Sequence, residues 1–94
     1  MVTQARIDAV LDIVRARHAE NPAVVAVADA LMTALQQAEV ALAHVRPPQA
    51  GRYAYPYVEV AATNSAARAL DRVEILYDVL ALALQRLGET VERG

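Results

Sequence analysis

The sequence contains no cysteine, lysine, phenylalanine or tryptophan, a single serine and three glycines. Without cysteine there is no disulfide framework, thiol nucleophile or cysteine-based metal centre. The serine, Ser65, stands in TNSAAR, outside the Gly-x-Ser-x-Gly frame that holds a nucleophile on a strained turn. Gly51, Gly88 and Gly94 are too far apart to build a phosphate-cradling loop. His18 and His44 belong to no E-x-x-H or H-x-x-x-H pair, so the ligand patterns of helical di-iron and zinc sites are missing. Hydrolase and nucleotide-loop chemistry is disfavoured, and no cofactor is expected.

Two further shortages concern location and partners. The opening MVTQARIDAV has no basic region followed by an apolar stretch, the pattern of a signal peptide. No uninterrupted apolar run approaches the roughly 18 residues of a membrane span. All nine basic residues are arginine, which with abundant Ala and Val matches the codon usage of a GC-rich bacterial genome. The expectation is a cytoplasmic bacterial protein that engages no membrane. Net charge is −2 and the arginines are scattered. A phosphate backbone needs a basic stripe, so nucleic acid is not an expected partner.

What the chain has in plenty is small aliphatic side chains. Apolar residues make up 56% of its 94 residues, and 21 of them are Ala. A chain of this length forms one domain, 1–94, and buries only about two-thirds of its unfolded surface. Ala hides little area, so association with a partner is a natural source of further burial.

The apolar spacing predicts three helices. The first spans about 4–20 behind Thr3, a good N-cap, with Ile7, Val10, Leu11 and Val14 on one stripe. Asn21 and Pro22 restart the chain as N-cap and first helical residue, opening a helix over 22–45 that ends before Pro47 and Pro48. Its stripe is Val24, Val27, Ala28, Leu31, Leu35, Ala38, Leu42 and Val45, widened by Val25, Val40 and Ala41. The third helix covers 64–87, with a start as early as Val58 open on the same pattern. Leu70, Val73, Tyr77, Leu80, Leu84, Leu87 and Val91 alternate spacings of three and four, the seam of a helical bundle. Ile75, Leu76, Val79 and Leu82 add a second apolar flank. Past Gly88, a Glu89–Arg93 pair at i, i+4 would favour further helix.

Together these features predict an all-α fold, a three-helix antiparallel bundle completed by homodimerisation into a larger helical bundle. The Pro/Gly-rich connection, 46–57, holds Tyr53, Tyr55 and Tyr57. In extended chain their rings would point to one side, either closing the end of the bundle or meeting a partner, since tyrosine buries its ring and keeps its hydroxyl wet. Ala62, Ala66 and Ala69, at i, i+4, i+7, form a small-residue stripe at which a symmetry mate could cross closely. These six residues are the candidate partner-binding set. Asp71, Glu74 and Asp78 share a helix face and offer hard oxygen ligands to a cation such as Mg²⁺, but no E-x-x-E on a second helix faces them. They read first as a solvated acidic face.

The function that fits is a non-enzymatic protein–protein interaction module, an adaptor, regulator or phage-type accessory protein, that binds itself and another protein. The alternatives are a metal-dependent enzyme using the acidic face, and a carrier of an apolar small molecule in the bundle core.

Overall fold

A computed structural model describes residues 2–43 and 56–91, with the side chains of 56–63 excepted. The regular structure among these residues is three α-helices: α1 (Gln4–Arg17), α2 (Pro22–Ala43) and α3 (Pro56–Arg86).

Each helix begins where local chemistry directs. The Thr3 hydroxyl accepts from the Arg6 N–H at 3.3 Å and starts α1. Asn21 Oδ1 accepts from the Val24 N–H at 3.3 Å and starts α2, with Pro22 in the first helical position, where its missing N–H leaves nothing unsatisfied. α1 is shorter than predicted, ending at Arg17 rather than Glu20. The His18 N–H bonds back to the Val14 carbonyl at 2.9 Å, and the Asn21 N–H bonds the His18 carbonyl at 3.0 Å. The chain is thus folded into a tight link between the first two helices.

α3 starts earlier than the predicted 64, at Pro56, again a proline at the first helical position. It ends in a Schellman turn. The Glu89 N–H bonds the Leu84 carbonyl at 3.0 Å and the Gly88 N–H bonds the Gln85 carbonyl at 3.1 Å, with Gly88 at φ 91°. Helix does not continue past Gly88 as a Glu89–Arg93 pair would require; Arg93 lies outside the described residues, and Glu89 bonds instead to α1. A Cβ at Gly88 would meet nothing within 4 Å, so Gly88→Ala carries only the backbone penalty of the left-handed region, about 1 kcal/mol. Thermal unfolding should register this as a small loss of stability with unchanged helix content.

α2 and α3 form the main contact of the fold, and α1 packs on both. Val24 at the start of α2 lies beside Leu87 at the end of α3, while Gln37 in the second half of α2 bonds Arg72 at the middle of α3; the two helices are antiparallel. The core is Ile7, Val10, Leu11 and Val14 of α1, Val24, Ala28, Leu31, Ala34 and Ala38 of α2, and Val73, Tyr77, Leu80, Ala81 and Leu84 of α3. Every position of the predicted α1 stripe is buried.

The other two stripes are covered unevenly: Val24, Ala28, Leu31 and Ala38 of α2 and Val73, Tyr77, Leu80 and Leu84 of α3 are buried, Val27, Leu35 and Val91 are partly buried, and Val45 lies outside the described residues. Leu42, Leu70 and Leu87 are 45%, 41% and 46% exposed. The reason is length: at 1.5 Å per residue α1 extends about 21 Å against about 46 Å for α3. Arg6 and Val10 line the same depression as Tyr77, so α1 lies along the C-terminal half of α3. The two longer helices therefore run past it, carrying Leu42 and Leu70 beyond its cover. Leu87 lies in the terminal turn, outside the packed helix.

By length and composition α2 is long and apolar enough to cross a membrane, with a mean hydropathy of 1.2 over its most apolar 18 residues. That differs from the expectation drawn from uninterrupted runs, because hydropathy averages across Asp29 and Glu39. Both carboxylates are exposed, as are Ala23, Ala26 and Ala30. Only 28% of that window is buried; one helix that qualifies by length and composition alone carries no clear membrane-spanning signal.

Candidate interaction surface

No charged side chain among the described residues is buried, and no buried side-chain nitrogen or oxygen there lacks a hydrogen-bond partner. The surface therefore has to be assessed by what it exposes. Its most apolar part lies on α3, on the side away from the core. Ile75 is 62% exposed, Val79 47% and Leu82 37%. They belong to a second periodic row, Arg68, Arg72, Ile75, Val79, Leu82 and Arg86, with successive spacings of four, three, four, three and four. One helix thus carries two bundle-type seams. Val73, Tyr77, Leu80 and Leu84 are used inside the fold; the other seam is left on the outside.

The outer seam borders a shallow groove between the end of α3 and the start of α2. Val79, Leu82, Ala83, Arg86 and Leu87 line it from α3, and Asn21, Ala23 and Val24 from α2, around about 380 Å³. Toward the other end of the seam, Arg68, Asp71, Arg72, Ile75 and Leu76 line a second open depression of about 470 Å³. Small-molecule sites are enclosed and measure roughly 300–1,000 Å³. Two clefts beside α1 are smaller, about 180 and 190 Å³, and the larger one there, about 460 Å³, is open and rimmed by Asp12, Arg17 and Glu89.

A polar cluster ties the ends of α1 and α3 together. Both Glu89 carboxylate oxygens accept from one Arg17 guanidinium nitrogen, at 3.0 and 3.1 Å, and His18 Nε2 lies 3.4 Å from Glu89 Oε1. The Arg17 hydrogen bond is the main reason that the Glu89 carboxyl sits below the usual carboxylate range; partial burial opposes it, and His18 adds to the lowering. A carboxyl whose folded pKa is depressed adds stability above its unfolded value and loses that contribution as pH falls through the folded value. Stability should accordingly decline in acid. In Glu89→Gln this component of the decline should be absent, as thermal midpoints measured across pH 2–7 would reveal. The cluster also borders an open depression with Asp12, Ala16 and Thr90, but its groups are engaged with one another, which makes it a clasp between chain ends.

The sequence-predicted site residues are dispersed. Tyr53 and Tyr55 lie outside the described residues. Tyr57 does not continue an extended run with them: it is in the first turn of α3, so a shared period-two face does not include it. Ala62 is also in α3, its side chain outside the described set. Ala66 is buried at 5% exposure and Ala69 is partly buried against the core, so Ala66→Leu should disturb folding itself. Asp71, Glu74 and Asp78 are exposed on α3. Among the described residues no three His, Cys, Asp or Glu side chains converge as a metal site requires.

Sequence spacing identifies Ile75, Val79 and Leu82 as an apolar flank, but their role as the middle of a seam ending in Arg68, Arg72 and Arg86 was missed. The signal was present in the four–three alternation; the more continuous leucine row obscured it. No family model, curated protein or solved structure matches this chain.

Proposed function

We propose that this chain is a small, non-enzymatic helical interaction module that self-associates through α2 and α3 and acts by binding another protein. The observation that carries the proposal is the outer apolar row of α3, Ile75, Val79 and Leu82, exposed in a fold that already has a continuous core. A row of this kind, rimmed by charged residues, is what a helix-packing interface presents before it is covered. Among the described residues no three His, Cys, Asp or Glu side chains converge, and His18 and Glu89 are engaged in the clasp between α1 and α3. A cytoplasmic setting is part of the proposal and rests on the sequence.

Tyrosines concentrate in binding hot spots, and Tyr53, Tyr55 and Tyr57 are the proposed contact with the second protein. Tagged chain incubated with host extract should retain a protein in stoichiometric amount, and replacing the three tyrosines with alanine should release it. Retention of nothing above background, or of the same protein by both forms, would contradict the proposal.

A further inference from the structure

We infer that the outer seam of α3 is the dimer contact, and that two copies pair it antiparallel about an axis through Val79. This rests on the self-association proposed above and deepens it by naming the surface, the orientation and the register.

A two-fold interface must complement itself, because the same patch serves on both sides. The seam meets that condition: Arg72, Ile75, Val79, Leu82 and Arg86 read as charge, three apolar residues and charge in either direction. With antiparallel helices centred on Val79, each residue before it faces one equally far beyond it. Val79 meets Val79 of the second copy. Ile75 falls opposite Leu82 and Ala83 of the second copy, and the reciprocal contact repeats this. The exposed apolar side chains of one copy therefore cover those of the other.

Charge selects the orientation. In the antiparallel register Arg72 is level with Arg86 of the second copy, and Asp71 is a single helical residue from that height, about 1.5 Å, so each end of the contact holds a carboxylate beside its two arginines. Neither Asp71 nor Arg86 takes part in an ion pair among the described residues, and both are exposed. Arg72 is drawn toward α2 by its 3.3 Å hydrogen bond to Gln37 Oε1, which leaves Arg86 of the second copy to Asp71. A parallel pairing would still put Asp71 within one residue of Arg72 of the second copy, but would set Arg86 on Arg86 between Gln85 and Leu87 with no carboxylate at that height, and juxtaposed like charges disfavour an interface. It would also align the two helix dipoles, which antiparallel packing opposes.

The absence of native cysteine makes disulfide trapping a direct test, because each introduced thiol is the sole one in its chain. Under mild oxidation Val79→Cys should form a covalent dimer far more readily than Gln36→Cys, an exposed control on α2. Ile75→Cys and Leu82→Cys, distinguished by a mass tag, should link to each other in an equimolar mixture several-fold more than either links to itself, since a disulfide needs Cα atoms about 4.4–6.8 Å apart. Self-linking of Ile75→Cys exceeding linking in the mixture would mean parallel helices and overturn the register. A wild-type protein of dimer mass whose seam variants link no better than the control would overturn this contact while leaving self-association intact. A wild-type protein of monomer mass would remove both.

Discussion

Leu80→Ala is expected to destabilise the fold by about 2–5 kcal/mol. Leu80 is fully buried, in one cluster with Leu31, Tyr77 and Leu84. Truncation there loses the transfer free energy of the side chain and leaves a cavity that helices held on two sides cannot close. For a chain of this size the whole folding stability is about 5–14 kcal/mol, so one substitution removes a large part of it. Leu70→Ala is the matched control. It makes the same chemical change on the same helix at a position 41% exposed, and should cost no more than about 1 kcal/mol. Urea unfolding followed by helical circular dichroism would compare them; equal losses would mean that the core is not where it has been placed.

Val79→Glu should leave the single chain intact and break the dimer. Val79 is on the outer face of α3 and 47% exposed, and glutamate has a better intrinsic helix propensity than valine. Folding of one chain should thus be unchanged or slightly improved. In the dimer, two glutamates would face each other across the axis in place of two valines, combining desolvation with like-charge repulsion. The dissociation constant should rise by about 100-fold or more. Sedimentation at several concentrations, with thermal unfolding of the same samples, separates the two effects. Loss of fold together with loss of association would place Val79 in the core instead of at the contact.

These two substitutions mark the limits of what the sequence made legible. The three helices, their caps and the α1 stripe follow from residue order, because Thr3, Asn21 and Pro22 act on backbone groups only a few residues away. The stripe of α2 was legible from Val24 to Ala38 and that of α3 from Val73 to Leu84, but not beyond, at Leu42, Leu70 and Leu87. Periodicity records which side of a helix is apolar and carries no record of how far its neighbour extends. Leu42 and Leu70 therefore share the period of the core but lie beyond α1. Conversely, Ala34 and Ala81 are buried at 2% and 0% exposure although neither belongs to the predicted stripes. A small side chain marks the place where two helix backbones approach, which depends on the crossing and not on the pattern within either helix.

The surface features divide in the same way. That α3 has two apolar flanks is a local property and can be read directly. Which flank is used inside the chain depends on where α2, and then α1, dock on α3, since a seam of leucines and a seam of Ile75, Val79 and Leu82 have equivalent spacing. The Arg17–Glu89 contact links residues 72 apart in sequence, and the neighbouring Arg93 offered Glu89 a local alternative. Gly88 decides between them: with φ at 91° it ends α3 and turns Glu89 toward α1.

The most direct test is the mass of the purified chain in solution. Light scattering coupled to size exclusion, run across a concentration series, should give about twice the 10.1 kDa of one copy, and Val79→Glu should return it to the single-copy mass. A wild-type mass that stays at one copy at the highest concentration reached would contradict the account, because the outer seam of α3 would then be stably exposed to water with nothing covering it.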